Sequence, residues 1–257
     1  MPEGDAVRRT ADRLDRALAG QLLTGSDFRV PQLATTDLTG AAVARTATHG
    51  KHLLTRLTTP DGDRLTLHTH LKMEGSWRVV AAGARWPGPA QDARVVLRTR
   101  SVQAVGFLLG LVELLPTADE AAVVGHLGPD LLGPWTAHDE ETALTRLTAA
   151  PDRVLGAALL DQTVVAGIGT IWLSETCFLQ GVHPQGPVRA VGDPLRLLRR
   201  ARLLLRAALE HGRPITTGDR RQPMWVYRRH RQPCLRCGTT IQAGPVGEAG
   251  RERTTYW

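Results

Sequence analysis

The chain has few cysteines and no long apolar run. Three Cys among 257 residues are too few for a disulfide framework, and the first residues lack the apolar segment of a signal peptide. The longest apolar stretch, from Phe107 to Leu115, is interrupted by Gly110 and Glu113. It falls well short of the roughly 20 residues that a helix needs to cross a bilayer. These absences exclude a membrane-spanning protein and a disulfide-rich secreted module, and they predict a cytoplasmic protein.

Lysine is also rare, and the positive charge is unevenly distributed. Of 32 basic residues, 30 are arginine, which leaves only Lys51 and Lys72. Residues 196–253 hold 14 Arg and 4 acidic residues, a net charge of +10, whereas the rest of the chain carries −3. Such segregation is typical of a surface that binds a polyanion, most often nucleic acid. The alternative is a generally basic surface that reflects arginine-rich codon usage.

Hydrophobic periodicity divides the chain into a helix, a β-rich segment and a helical segment. Four apolar residues recur at helical spacing and predict an amphipathic helix over residues 5–19: Val7, Ala11, Leu14 and Leu18. Short alternating segments between about 28 and 112, with a hairpin turn at 60–63, predict a β-sandwich or barrel. Helical periodicity returns after Pro116, and residues 194–211 predict one long helix.

A Cys-x-x-Cys-Gly sequence occurs near the end of the chain, at residues 234–238. Two thiolates at this spacing, Cys234 and Cys237, can supply half of a tetrahedral zinc site. A redox pair and a chance pair are the alternatives. If the natural chain continues past Trp257, two further Cys just beyond it would complete the site.

The second and third residues carry candidate chemistry. After removal of Met1, Pro2 would present a free secondary amine beside the carboxylate of Glu3. A terminal amine has an ordinary pKa of about 7.7–8, so a large fraction is neutral and nucleophilic at physiological pH. An amine beside an acid is the minimum for Schiff-base chemistry with proton transfer. The alternative is an ordinary helix start.

Six motifs jointly resemble the formamidopyrimidine-DNA glycosylase and endonuclease VIII family, in the family's order and along essentially the whole chain. They are Met1-Pro2-Glu3-Gly4-Asp5 with Val7, His49-Gly50-Lys51, His70-Leu71-Lys72-Met73-Glu74-Gly75, Leu160-Asp161-Gln162, Ala166-Gly167-Ile168-Gly169 and the Cys234/Cys237 pair. The resemblance implies a base-excision repair enzyme. Such an enzyme extrudes a damaged base, displaces it by attack on the sugar C1′ and cleaves the strand by β,δ-elimination.

The resemblance also implies an α+β multidomain fold. An N-terminal helix and β-sandwich are expected in residues 1–116, and a helix-two-turns-helix domain in residues 125–213. A zinc-finger-like β-hairpin is expected in residues 214–257. It would be incomplete, because only Cys234 and Cys237 of four zinc ligands are present.

Several residues match positions that have a role in the family. By this resemblance Pro2 is the nucleophile and Glu3 the general acid and base, while Lys51 contacts phosphate and assists catalysis. Arg253 would clamp the phosphates that flank the lesion, for which a guanidinium fork is well suited. For Lys51 the alternative is a solvated side chain at a hairpin turn.

Three further features match DNA-contacting positions of the family. Between two helices, Gly167 and Gly169 would let backbone N–H groups approach a phosphate, although tight packing alone is the alternative. Met73 would fill the space that a flipped base leaves, unless it is a core residue. Glu175, in the helix that follows the glycines, is expected to be structural.

The chain departs from the family pattern at three places. Thr170 replaces the asparagine that normally follows Gly-Ile-Gly, and Ala6 replaces a second early acidic residue implicated in elimination. The wedge loop of the 8-oxoguanine branch is absent, and residues 100–107 take its place. This last difference favours the endonuclease VIII branch, whose substrates are oxidised pyrimidines.

The expected partner is damaged double-stranded DNA, bound by a monomer. Two functions of different classes therefore remain. The first is a DNA glycosylase with abasic-site lyase activity on oxidised pyrimidines, with 8-oxoguanine or formamidopyrimidine specificity as a variant. The second, indicated by Thr170, Ala6 and the incomplete cysteine set, is a protein that binds damaged DNA or abasic sites with little catalysis.

Overall fold

A computed structural model describes residues 2–247, 250 and 252–257. Met1, whose removal the sequence predicts, lies outside these residues. The chain divides into two compact units, one formed by Pro2 and residues 6–126 and the other by residues 3–5 and 127–257. The first unit is built mainly from antiparallel strands and the second mainly from helices, so the predicted α+β multidomain class is confirmed.

The helices of the described residues are α1 (Gly4–Leu18), α2 (Glu120–Val124), α3 (Ala137–Thr148), α4 (Leu155–Leu160), α5 (Thr170–Gln180) and α6 (Pro194–His211). The strands are β1 (Gly25–Phe28), β2 (Ala42–His49), β3 (His52–Thr58), β4 (Arg64–His70), β5 (Ser76–Ala81), β6 (Ala93–Arg98), β7 (Val102–Phe107), β8 (Leu111–Pro116), β9 (Ala243–Val246) and β10 (Arg253–Tyr256).

Two four-stranded antiparallel sheets share one core in the first unit. Their strand orders are β1-β6-β7-β5 and β2-β3-β4-β8. The core contains Trp77 and Leu97 from the first sheet and Leu53 and Leu67 from the second. The four apolar residues that predict α1 also belong to this core, which confirms both the amphipathic helix and the sandwich.

In the second unit α5 packs against α4 and α6. Trp172 and Cys177 of α5 have no exposed surface and join a core with Leu197 and Leu205 of α6. The helix α6 covers residues 194–211, as the sequence predicts. At its start the carboxylate of Asp193 accepts from the backbone N–H of residue 196, and it ends at the left-handed Gly212.

The hairpin of β9 and β10 rests on α5. The hydroxyls of Ser174 and Thr255 are 2.9 Å apart, and the N–H of Tyr256 donates to the Ser174 hydroxyl (3.1 Å). The predicted domain bounds of 1–116, 125–213 and 214–257 stay a prediction. The division between the compact units falls between His126 and Leu127.

Candidate active site

Glu3 is held by the first turn of α5. Its two carboxylate oxygens accept from the backbone N–H groups of Ile171 (2.8 Å) and Trp172 (3.3 Å), and the residue is 3% exposed. The first N–H groups of a helix have no partner within the helix and carry partial positive charge, so a carboxylate satisfies them well. The candidate acid is therefore fixed in position by backbone that cannot rotate away.

Gly4 and Asp5, the two residues after Glu3, are hydrogen-bonded to α5 and to the turn before it. The N–H of Gly4 donates to the carbonyl of Gly167 (2.9 Å), and a Cβ on Gly4 would lie 2.9 Å from that oxygen. The indole N–H of Trp172 donates to Asp5 Oδ1 (2.9 Å), and both side chains are buried. The segment that follows Pro2 is thus fastened at three successive residues.

The two glycines of the Gly-Ile-Gly turn serve different needs. Gly167 has φ of 107°, a conformation that side-chain-bearing residues rarely adopt. Gly169 has an ordinary extended φ of −134°, but a Cβ there would lie 2.3 Å from Cδ of Glu3. Gly169 is needed for space, because only a residue without a side chain lets Glu3 reach the helix.

Two backbone donors at the start of α5 are not used within the described residues. Gln162 braces the preceding turn by accepting from the N–H of Gly167 (3.0 Å) and donating to the carbonyl of Ile168 (3.1 Å). The N–H groups of Gly169 and Thr170 donate to no other described residue. Two backbone donors at a helix start can hold a phosphate oxygen. Glu3 uses the next two donors, a division that the sequence does not reveal.

Lys51 occupies the second position of the two-residue turn between β2 and β3. Gly50 precedes it with φ of 56°, as a tight hairpin of this kind requires. Lys51 is only 6% exposed. The alternative of a solvated lysine at the turn is therefore wrong.

The loop after β4 presents Met73 on a rigid base. Lys72 adopts a left-handed φ of 50°, and its N–H donates to Nδ1 of His70 (2.9 Å). Gly75 closes the loop through its N–H to the carbonyl of Leu71 (2.8 Å). Met73 is 61% exposed, so it is not a core residue.

His70 is close enough to both lysines to feel their charges, and the sequence alone assigns it no role. Burial, followed by the charges of Lys72 and Lys51, lowers the pKa of His70 to about 4. The ring is therefore neutral at physiological pH, and because Nδ1 accepts from Lys72, the proton must be on Nε2. His70 thus offers one N–H donor beside two ammonium groups.

Glu175 is structural, as expected, and it fastens one loop of the second unit. It has no exposed surface, and its carboxylate accepts from the N–H groups of Trp225 (3.0 Å), Val226 (2.9 Å) and Tyr227 (2.8 Å). The hydroxyl of Thr216 donates to the same carboxylate. One buried side chain of α5 thus closes the loop between residues 216 and 227.

The cysteine pair fits half of a zinc site. Hydrogen bonds from Thr239 lower the pKa of the exposed Cys237, which favours the thiolate that binds metal. The third cysteine, Cys177, is buried in α5, where burial raises its pKa to about 12. Among the described residues no group of three or more His, Cys, Asp or Glu is placed to hold a metal. These residues alone therefore do not form a closed zinc site.

The segment that carries the two cysteines packs against α5 through the side chain of Arg236. The guanidinium of Arg236 lies 4.8 Å from the ring centroid of Phe178 and 4.7 Å from that of Trp225. Such cation–π contacts are worth about 0.5–1 kcal/mol each at exposed sites. They hold the segment that carries Cys234 and Cys237 in place.

The structure brings together some of the predicted site residues. Glu3, Gly167, Gly169 and Thr170 meet at the start of α5, and Pro2 directly precedes Glu3 in the chain. In the first unit Lys51 and Met73 occupy turns at the ends of β2 and β4. In the second unit Arg253 begins β10, and Cys234 and Cys237 precede β9.

Two family models match most of the chain. Residues 1–108 match the formamidopyrimidine-DNA glycosylase N-terminal domain, and residues 127–219 match the formamidopyrimidine-DNA glycosylase H2TH domain. The chain belongs to the formamidopyrimidine-DNA glycosylase and endonuclease VIII family. The predicted helix-two-turns-helix domain is thereby confirmed for the second unit.

Curated relatives of this family extend over the whole chain. A probable endonuclease 8 2 of Streptomyces coelicolor is 52% identical over 263 residues, covering 100% of this chain and 92% of the relative. The DNA-(apurinic or apyrimidinic site) lyase Nei2 of Mycolicibacterium smegmatis is 44% identical, covering 100% and 97%. An endonuclease 8 of Klebsiella pneumoniae is 30% identical, covering 100% and 98%.

Solved structures of the family share the fold. A structure of MutM in complex with DNA containing carbocyclic 8-oxo-G has a TM-score of 0.80 at 25% identity, covering 99% of this chain and 97% of that one. A Lactococcus lactis Fpg in complex with DNA containing an abasic site has a TM-score of 0.80 at 24% identity, covering 100% and 97%.

Family membership gives the chain its enzyme class. It is a bifunctional DNA glycosylase and abasic-site lyase of base-excision repair, and it binds damaged DNA. No helix in the described part of the chain combines the length and the apolar character needed to span a bilayer. The motifs that carried the resemblance in the sequence were thus sufficient to identify the family.

Proposed function

We propose that this enzyme removes oxidised pyrimidines from double-stranded DNA through a Schiff base on the amine of Pro2. The observation that carries the proposal is the attachment of Glu3 to the first turn of α5. That attachment fixes an acid one residue away from the candidate nucleophile, beside two backbone donors suited to a phosphate. An ordinary helix start would need none of these contacts.

The reaction follows from an amine and an acid that act on one sugar. The neutral nitrogen of Pro2 attacks C1′, the bond from C1′ to the base breaks, and the base leaves with a proton. Glu3 protonates O4′ as the sugar ring opens, which leaves an iminium between C1′ and Pro2. Loss of a proton from C2′ expels the 3′ phosphate, and loss of a proton from C4′ expels the 5′ phosphate. Water then hydrolyses the imine and frees the amine.

Backbone N–H groups and side chains would both hold the phosphates. Gly167 and Gly169 form the turn whose backbone N–H groups, with Thr170, would contact one phosphate. Lys51 and Arg253 supply charged contacts to others, and Nε2–H of His70 adds a neutral donor. Met73, which is exposed on its rigid loop, would fill the place of the extruded base.

The preference for pyrimidine lesions is supported by the connection between β6 and β7. Residues 99–101 form a tight turn there, closed by a hydrogen bond from the N–H of Thr99 to the carbonyl of Val102 (2.8 Å). The structure thus has two strands here, β6 and β7, with only three residues between them. A turn this short has no room for the wedge loop of the 8-oxoguanine branch.

Three further statements belong to the same proposal. Cys234 and Cys237 would supply two thiolates to a zinc ion, for which two more ligands are needed, and no step of the reaction involves it. Metal analysis of the purified protein tests this statement. The enzyme would act as a monomer and reside in the cytoplasm, with domains bounded as the sequence predicts.

A damaged-DNA binding protein with weak catalysis remains the second candidate, and one contact favours it. Asp5 is adjacent to Ala6, which replaces the family's second early acid, but the Asp5 carboxylate is 1% exposed and accepts from Trp172. Asp5 therefore does not replace the missing acid. On this account base removal and strand cleavage would both be slow.

Borohydride trapping separates the two candidates. The protein is incubated with a duplex that contains one abasic site, and sodium borohydride reduces any imine to a stable covalent adduct. We expect an adduct with the native protein and none with a version whose uncleaved N-terminal extension turns the Pro2 nitrogen into an amide. Tight binding of the duplex without an adduct would establish the second candidate instead.

A further inference from the structure

The face of the β2-β3-β4-β8 sheet that points away from the sandwich core carries a polar cluster. Register pairs His52 with His70 and His68 with Glu113, and strand alternation places all four on one face. Leu53 and Leu67 point to the opposite face, into the core. Although His68 lies on this outer face, it is only 2% exposed. A buried polar group needs defined hydrogen-bond partners, because leaving one unpaired is costly.

Three of these side chains form a continuous hydrogen-bonded line. Glu113 Oε2 is 3.0 Å from Nδ1 of His68, and Nε2 of His68 is 2.8 Å from Nδ1 of His52. The planes of the His52 and His68 rings are nearly parallel, at 20°. Both nitrogens of the central ring are therefore occupied. We call Glu113, His68 and His52 the histidine relay.

If each ring carries one proton, the hydrogen bonds of the relay allow one arrangement of protons. An ionised carboxylate only accepts, so Nδ1 of His68 must carry a proton that it donates to Glu113. A neutral His68 then has a bare Nε2, which must accept a proton from Nδ1 of His52. Burial lowers the pKa of His52 to about 3, so this ring is neutral. His52 is thereby left with a bare Nε2.

The end of the relay abuts His70. The ring of His52 lies 4.9 Å from that of His70 and almost perpendicular to it, at 79°. His70 is held from the other side by the N–H of Lys72 on its Nδ1. The direction of its Nε2–H therefore depends on the position of the His52 ring, which the relay sets.

We propose that Glu113, His68 and His52 are positioning residues for His70, aiming its Nε2–H at a backbone phosphate of the bound DNA. The proposal rests on the DNA binding described above. The three residues do not touch the DNA in this account. They act by restricting the orientation of one neutral donor, which otherwise would have to be ordered when DNA binds.

Nuclear magnetic resonance of the ring nitrogens tests the proton positions without DNA. Long-range proton–nitrogen spectra at pH 7.5 should show His52 protonated at Nδ1 and bare at Nε2. The Glu113→Leu variant should show a mixture of both forms for His68 and His52. A native His52 with its proton on Nε2, or one that the Glu113→Leu change leaves untouched, would overturn the relay.

Two substitutions at Glu113 separate hydrogen bonding from charge. The side chain is 45% exposed, so neither change disturbs the core. Glu113→Gln keeps an acceptor for Nδ1–H of His68, whereas Glu113→Leu removes it, and both lose one negative charge. Binding to a duplex with a tetrahydrofuran abasic-site analogue should weaken about fivefold for Leu and remain near the native value for Gln. Equal weakening by both variants would contradict the proposal.

A double-mutant cycle with His70→Ala tests whether the relay acts through that residue. Glu113→Leu should have no further effect on binding once His70 is replaced, because the donor that it positions is gone. An additive loss in the double variant would show that the relay acts elsewhere. If the native protein itself fails to bind the duplex, the proposed function fails, and the proton positions still test the relay independently.

Discussion

Two regions of the molecule hold functional groups by opposite means. At the start of α5, Glu3 is held by backbone N–H groups, which it can reach because Gly169 has no side chain. On the outer face of the second sheet, His70 is held by a line of side chains that ends at Glu113. The first arrangement is built from main chain and steric space, and the second from hydrogen bonds between side chains.

The difference predicts how each region responds to change. Only a proline can remove a backbone donor, so the α5 site is sensitive mainly to added atoms and to changes in the Glu3 carboxylate itself. The sheet site is sensitive to loss of a partner and tolerant of a side chain that keeps the same donor or acceptor. The following variants test this distinction, from the largest expected effect to the smallest.

Glu3→Gln should have the largest effect. The amide keeps one acceptor for α5 but cannot transfer protons as a carboxyl group does, so base removal should slow by about 10²–10⁴-fold. Single-turnover kinetics on a duplex with thymine glycol would measure it. Asp5→Asn is the matched control, because this neighbouring carboxylate binds Trp172 and should tolerate the change. Similar losses in both variants would mean that Glu3 is only structural.

Gly169→Ala should have the second-largest effect. The backbone there is ordinary, so the new methyl group acts only by displacing Glu3, whose Cδ would lie 2.3 Å from it. A displacement of about 1 Å at a catalytic group can cost 10²-fold in rate. Single-turnover rates should fall by about that factor, while thermal unfolding shows the protein still folded. Gly192→Ala, where a Cβ would meet nothing within 4 Å, is the control.

Acid should destabilise the sheet region through its histidines. Burial lowers the pKa of His52 to about 3 and of His70 to about 4, below the ordinary value of 6.5. Between these values the unfolded chain binds more protons than the folded one, so stability is full above pH 6.5 and falls as the pH drops toward 4. After a discount for solvent screening, we expect the two histidines together to cost about 2 kcal/mol of stability by pH 5.

Urea unfolding at pH 7.5, 6 and 5 measures this loss. The His70→Gln variant should show a shallower decline than the native protein, since it removes one of the two groups. Parallel declines would mean that His70 titrates alike in the folded and unfolded states.

Thr170→Asn should have the smallest effect. If the backbone N–H groups of Gly169 and Thr170 hold the phosphate, the side chain adds at most one hydrogen bond. Restoring the family's asparagine should tighten abasic-site binding by about threefold. Binding is measured by titration at fixed salt. A hundredfold gain would show that the side chain of residue 170, and not the backbone, dominates phosphate binding at the start of α5.

Local signals allowed much of the fold to be predicted from the sequence. The periodicity of the apolar residues predicts the helices at residues 4–18 and 194–211. The Gly-Ile-Gly turn before α5 and the Cys234/Cys237 pair are equally local. In each case the residues that define the feature are close together in the chain.

The remaining features depend on contacts between distant residues. Glu3 and Ile171 are 168 positions apart, and no periodicity links them. The relay requires the register of three strands, because His52, His68 and Glu113 meet only when β3, β4 and β8 pair as they do. A shift of one residue in any strand would move its side chain to the other face.

The central claim is that the amine of Pro2 forms the covalent bond to DNA. The most direct measurement is mass spectrometry of peptides from the borohydride-reduced adduct. We predict the deoxyribose remnant on the nitrogen of an N-terminal Pro2, with Met1 absent. A remnant on Lys51 or another side chain, or an adduct in protein that retains Met1, would contradict the account.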